Sequence, residues 1–196
     1  VDEVRLKELL GPLCTIPCMS TFAIGAIINR LVSSLENDTS FVNIGVWNGF
    51  SFLCGITGNS DKKCVGVDNF SEFGGPREDF LQRFNSLRSQ NHQFFDLDYE
   101  AYFKTVHTGS IGFYIYDGNH SAEHQNRGLT VAEPYFSDHC YLLIDDINDN
   151  GPMDGTEGFL RSSKFRYNII YCQQTSHNMH PTYWNGILLL EKNGLK

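Results

Sequence analysis

Positive charge is scarce in this sequence. Its 15 Lys and Arg face 23 Asp and Glu over 196 residues, a formal net charge of −8. Phosphate contact needs clustered cations, which argues against a nucleic-acid binder working through a broad basic face. It argues equally against a polybasic membrane-surface protein. Long apolar runs are missing too. None approaches the ~18 residues of a membrane helix, and mean hydropathy is −0.29. The opening residues, VDEVRLKELL, have neither the basic start nor the apolar block of a secretion signal. A redox Cys-x-x-Cys pair is absent, since Cys14 and Cys18 are separated by three residues, one of them Pro17. No partner of the nucleic-acid or membrane class is therefore expected.

Six cysteines are present, but several lie in or beside apolar strand-like strings such as CVGVD, CYLLIDD and YNIIYC. A thiol acts there as a small hydrophobe. At 22.2 kDa the folded chain should expose ~9,400 Å² against ~32,000 Å² when open. Burial on that scale needs no disulfide staples. Free thiols and a cytoplasmic location are the expectation.

Hydrophobic period sorts the chain. In 20–36, Ile24, Ile27, Ile28, Leu31 and Leu35 fall on one helical face, with Ser20 or Thr21 placed to cap it. Seven short apolar runs follow, at 41–46, 64–69, 92–97, 113–118, 141–146, 167–172 and 186–192. Between the second and third, Gly75-Pro76 opens a segment with Phe80, Leu81, Phe84 and Leu87 at helical spacing, Pro76 suiting the first helical position. Between the fourth and fifth, Ser121 suits the cap of a helix carrying Leu129, Ala132 and Phe136. Strands alternating with helices predict an α/β, doubly wound, Rossmann-like sheet with helices on both faces. About a dozen residues with no helical period separate the last two runs, so these read as an antiparallel pair. The expected organisation is one domain over 1–196, with a helical segment (1–40) packed on an α/β core (41–196).

The first run leads into Gly45-Val46-Trp47-Asn48-Gly49-Phe50-Ser51. Glycines at the end of a first strand permit a tight turn and close approach of a ligand. The helix that follows presents free N–H groups, and Ser51 adds a hydroxyl. Asp68 ends the second strand 19 residues after Gly49. An acid at that distance accepts hydrogen bonds from ribose hydroxyls. Asp96, ending the third run, is a candidate for the adenine side, with Asp98 equally placed. Two glycines and an Asp also make an ordinary strand-to-helix turn.

The fourth run ends in Asp117-Gly118-Asn119-His120 and the fifth in Asp145-Asp146. If these strands are neighbours, three carboxylates converge at the sheet's carboxyl edge and raise one another's pKa unless neutralised. An all-oxygen set suits Mg²⁺, Mn²⁺ or Ca²⁺. His120 lies three residues past Asp117, placed to act as a general base. His120 and His124 form an i, i+4 pair suited to zinc, but nothing nearby completes the set.

With both motifs in place, residues 41–191 resemble class I S-adenosylmethionine-dependent methyltransferases. More narrowly they resemble metal-dependent O-methyltransferases of the macrocin O-methyltransferase kind. The resemblance implies a seven-stranded mixed sheet whose last strand is antiparallel and inserts beside the fifth. It assigns Asn43, Gly45, Gly49, Ser51 and Asp68 to the cofactor, and the strand-end acids Asp96 and Asp117 join them as cofactor candidates. Asn43 departs from the Glu or Asp usual at its position and lacks the charge that favours the cofactor's ammonium. It assigns Asp117, Asp145 and Asp146 to Mg²⁺ (or Mn²⁺), with His120 as base. The implied reaction is metal-assisted methyl transfer from S-adenosylmethionine to a hydroxyl of a small molecule, a sugar or glycoside being the favoured acceptor. Candidate substrate walls are 70–78, 147–163 and 173–185. The chain is short for the macrocin kind, which leaves a reduced lid or one supplied by a second copy in a homo-oligomer. Two alternatives stand beside this reading. One is a non-catalytic nucleotide-binding protein that kept the fold. The other is an NAD(P)-dependent oxidoreductase, against which GVWNG lacks the full G-x-G-x-x-G.

Overall fold

The computed structural model describes residues 3–196. Helix α1 (Glu3–Leu10), a 3-10 turn (Gly11–Thr15) and α2 (Phe22–Ser33) precede the sheet. Then β1 (Thr39–Ile44), α3 (Phe50–Ile56), β2 (Lys63–Asp68), α4 (Arg77–Leu87), β3 (His92–Asp96), α5 (Tyr99–Thr105) and β4 (Ser110–Tyr116) alternate. Helix α6 (Ala122–Ala132), β5 (Phe136–Asp145), α7 (Asn150–Ser162), β6 (Phe165–Gln173) and β7 (Ile187–Leu195) complete it. The seven strands lie in the order β3-β2-β1-β4-β5-β7-β6. β1 to β5 pair in parallel, and β7 runs antiparallel to both β5 and β6. This is the mixed, doubly wound sheet that the alternation predicts.

Strand period two divides the core. Phe41 of β1 faces α1 to α4, stacked on Phe113 of β4 with ring centroids 4.9 Å apart. Its neighbours Val42 and Ile44 face α5, α6 and α7. All six residues of β1 are buried, as a central strand covered on both faces requires. Leu6 and Leu10 of α1 belong to the same apolar cluster as Phe41. The accessible surface is 9504 Å², close to the scaling expectation. The six cysteines are free. Among the described residues, no helix is long and apolar enough to cross a membrane.

Local details refine the sequence reading. Thr21, rather than Ser20, caps α2, its Oγ1 accepting from the Ile24 N–H at 3.4 Å. Pro76 sits at the N-cap of α4, one position before the helix. Ser121 caps α6 as expected, accepting from the His124 N–H, but Phe136 opens β5 instead of extending α6. Pro134 lies in the 3-10 turn between them and cannot continue the helix. The stretch 147–163 is not a loop wall. Most of it is α7, whose Phe159 is buried against the sheet. Its three glycines weaken intrinsic helicity, yet two are required by packing. A Cβ at Gly151 would lie 2.0 Å from the His120 carbonyl oxygen, and one at Gly155 2.5 Å from that of Ala122.

Candidate functional site

The loop from β1 to α3 is a strained turn. Gly45, Trp47 and Gly49 all have positive φ, at 79°, 45° and 99°. At Gly45 a Cβ would stand 1.9 Å from the Asp117 carbonyl oxygen, so only glycine lets the tips of β1 and β4 approach. Gly49 serves packing of another kind: a Cβ there would meet the Phe80 ring at 2.7 Å. Asp68 at the tip of β2 holds the loop from its other side. Its Oδ2 accepts from the N–H groups of Val46 and Trp47, both at 2.8 Å, and its Oδ1 from that of Phe70 at 2.7 Å.

A cavity of about 280 Å³ opens over these strand tips. Its wall includes Gly45, Ser51, Asp68, Asp117, His120, Asp145 and Asp146, so the residues read from the sequence largely converge. Three do not reach it. Gly49 lies beneath, for the packing reason given. Asn43 shares the helix-covered face of Phe41 and is fully buried. Its Nδ2 donates to the Ile44 and Gly45 carbonyls, and its Oδ1 has no partner. Asp96 is turned outward, its Oδ2 2.6 Å from the Arg77 Nε. The wall at that strand instead comes from Leu97, Asp98 and Tyr99. Asp98 caps α5 by accepting from the N–H groups of Glu100 and Ala101. The Tyr99 ring stands edge-on to Tyr116, with centroids 5.3 Å apart. Sequence reasoning missed Tyr99 as a wall residue, although Asp98 carried the cap signal that fixes its place.

β4 and β5 are neighbours, paired through Tyr116 and Ile144, so their acidic ends meet. Asp117, His120 and Asp146 offer ligand atoms all within 4.8 Å of one another. His120 lies between the carboxylates. Its Nε2 is 3.3 Å from Asp117 Oδ1 and its Nδ1 3.1 Å from Asp146 Oδ2. The grouping thus differs from the three aspartates read in sequence. Asp145 lines the same wall, but its Oδ1 is taken by the Asp146 N–H at 3.0 Å. Asp146 itself has φ of 56°, which ends β5 with a kink. Asn185 hydrogen-bonds the Asp146 side chain while its Oδ1 accepts from the Met179 N–H, tying segment 173–185 to the site. His124 is not in the group; its Nδ1 lies 3.4 Å from the Tyr99 hydroxyl.

Electrostatics follow from the crowding. Burial, then the charges of Asp117 and Asp146, push Asp145 well above the usual carboxylate range. Burial, followed by Asp117, pushes Asp146 up to about 6. The hydrogen bond that His120 donates to Asp117 outweighs burial and lifts His120 to about 9. At neutral pH the imidazole therefore carries a proton, one positive charge among three acids. Two carboxylates and an imidazole around one point fit a divalent cation, the oxygens favouring Mg²⁺ or Mn²⁺.

Solved structures share this architecture. SAH-bound PaMTH1 of Podospora anserina, a methyltransferase, superimposes with TM-score 0.69 at 11% identity, covering 98% of this chain and 89% of that one. A Bacillus cereus O-methyltransferase in complex with SAH gives 0.66 at 11% identity, covering 98% and 92%. A structure from Streptococcus mutans gives 0.63 at 14% identity and covers 84% of this chain, which spans only about half, 47%, of that one. No curated protein matches the sequence. A family model described as "Methyltransferase domain" matches residues 42–147, more than half of the chain and every strand tip that builds the cavity. The chain belongs to the methyltransferase-domain family.

Proposed function

We propose that the protein transfers the methyl group of S-adenosylmethionine to a hydroxyl oxygen of a small molecule, with Mg²⁺ or Mn²⁺ in the acidic site. The observation that carries the reading is one shared cavity. It joins a nucleoside-type wall from β1, β2 and β3 to the Asp117–His120–Asp146 group. The neighbours from Bacillus cereus and Podospora anserina hold SAH, S-adenosylhomocysteine, the product of such a reaction.

The residues fit that cofactor in kind. Asp68 keeps acceptor capacity for ribose hydroxyls after taking three N–H groups. Tyr99 and Leu97 offer an apolar and aromatic wall to a purine. Asp117, whose backbone carbonyl packs against Gly45, lines the same cavity and suits the cofactor's ammonium. The reading of Asn43 as a weakened cofactor contact loses its ground, because that side chain does not line the cavity. The case for a non-catalytic protein rested on that residue.

Asp117 and Asp146 would hold the cation, which would supply Lewis acidity to the acceptor hydroxyl and replace the positive charge of the His120 proton. Methyl transfer forms the oxygen–carbon bond as the carbon–sulfur bond breaks, leaving S-adenosylhomocysteine. The acceptor's proton goes to His120, whose ring must first give up the proton that Asp117 and Asp146 hold on it. The loop and the strand tips would hold oxygen, methyl carbon and sulfur nearly in line, and this positioning would supply much of the rate. The test is calorimetric titration with S-adenosylhomocysteine, with and without Mg²⁺, with NAD⁺ and NADP⁺ as controls. Saturable binding of S-adenosylhomocysteine alone is expected. Nicotinamide binding in its place would turn the assignment to an oxidoreductase.

A further inference from the structure

The cavity wall is rich in acids. Six carboxylates line it, from Asp68, Glu72, Asp98, Asp117, Asp145 and Asp146, and no Lys or Arg does so among the described residues. Nearby arginines are engaged outside it: Arg77 with Asp96 and Glu78, Arg83 with Asn48, Arg127 with Glu100. Among the described residues the wall thus offers an anionic acceptor no Lys or Arg to pair with. A phosphate or carboxylate on the acceptor would enter against that field.

Glu72 differs from the other five. Asp68 and Asp98 spend oxygens on backbone N–H groups, Asp117 and Asp146 face His120, and Asp145 takes the Asp146 N–H. Glu72 stands on the rim, in the segment between β2 and α4. Its Oε1 accepts from Asn119 Nδ2 at 3.1 Å, which anchors it beside the Asp117–His120 turn. Phe73 follows it, 61% exposed, and Trp47 Nε1 donates to the Phe73 carbonyl at 3.0 Å. Both rings line the same cavity. A carboxylate on a wall shared with two aromatic residues has the chemistry that recognises an ammonium group.

Resting on the methyltransferase reading, we infer that the acceptor is a hydroxyl compound bearing a cationic amine, taken up at the rim by Glu72 together with Trp47 and Phe73 of the same wall. Phosphorylated acceptors and acyl thioesters of coenzyme A are disfavoured by the same wall. The test uses the protein loaded with S-adenosylhomocysteine and Mg²⁺, titrated calorimetrically with three catechols. Dopamine, 3,4-dihydroxyphenylethanol and 3,4-dihydroxyphenylacetate share one diol and differ in the charge of the tail. The amine is expected to bind about tenfold tighter than the alcohol, an ion pair and a cation–π contact each contributing severalfold. The acetate should bind weakest. Glu72→Gln should bring the amine to the level of the alcohol, and Glu72→Asp should keep part of the preference. Equal affinities, a preference for the acetate, no binding of any of the three, or a preference that survives Glu72→Gln would overturn the inference. Loading with S-adenosylhomocysteine is measured first. Its failure removes the methyltransferase reading itself, whereas successful loading without an amine preference removes only the acceptor class.

Discussion

The His120 site makes folding stability depend on pH in a direction fixed by its geometry. In the cation-free fold His120 rises from 6.5 to about 9 because Asp117 holds its proton. A raised folded pKa gives stability that is complete below the unfolded value and is lost as pH climbs through the folded one. The window is therefore about 6.5 to 9. That interval is worth ~3.4 kcal/mol at full strength. The His120 side chain is 34% exposed, and solvent screening cuts the figure to about 1–1.5 kcal/mol. Asp146, raised by burial from 3.8 to about 6, acts in the same sense at lower pH. Its folded form binds a proton more tightly, so stability falls as pH rises through that range. For a chain of this size ~1–1.5 kcal/mol is a Tm change of about 3–5 °C. The assay is thermal denaturation in EDTA at pH 6, 7.5 and 9, comparing wild type with His120→Gln. The wild type should lose about 3–5 °C more than the variant between the first and last pH. Mn²⁺ should then raise the wild-type Tm, most strongly at high pH, because it competes with protons for the same atoms. Parallel wild-type and variant curves in EDTA would refute the bridging geometry.

Three further outcomes follow from single contacts. Gly45→Ala places a Cβ 1.9 Å from the Asp117 carbonyl at φ of 79°, so strain and overpacking should cost ~2–4 kcal/mol by denaturant titration and abolish S-adenosylhomocysteine binding. Asp146→Ala should lose divalent-dependent turnover while retaining much of the cofactor affinity; unchanged turnover would remove Asp146 from the site. Asp68→Ala frees three backbone N–H groups, and should weaken S-adenosylhomocysteine binding at least tenfold while lowering stability by a few kcal/mol; calorimetry and denaturant titration read the two effects separately.

Which of these residues the sequence could reveal depended on how far each one's surroundings lie along the chain. Asp68, Asp117 and Asp145-Asp146 were legible because each ends an apolar run, and a parallel sheet gathers its carboxyl ends at one edge. Parallel pairing of β4 with β5 then sufficed to join them. Asn43 was assigned to the cofactor by resemblance, yet strand alternation places it on the face of Phe41, under the helices and away from the edge. Asp96 ends a run as Asp68 does, and the two are register partners. What separates them is Arg77, 19 residues earlier in the chain, which draws Asp96 outward. Only the placement of α4 beside β3 reveals that. Helix α7 stayed hidden for a related reason: its glycines oppose helix formation locally and are explained only by the close approach of α6 and the His120 turn.

The same reasoning recasts His120. Its spacing from Asp117 predicted one partner, and a histidine with one carboxylate reads as a base waiting to act. The fold supplies a second partner, Asp146, from another strand. With both ring nitrogens facing carboxylates, the imidazole holds its proton at neutral pH, occupying with one positive charge the place a divalent cation would take. On the proposed reading, proton acceptance by His120 and cation binding at Asp117 and Asp146 would thus be linked events at one point in space. An enzyme built this way would be unready as a base until the cation arrived. A proton count should therefore accompany cation binding, and calorimetry in buffers of differing ionisation enthalpy would measure it. About one proton released per cation at pH 7.5 is the expected value, and none released would separate the base from the cation site.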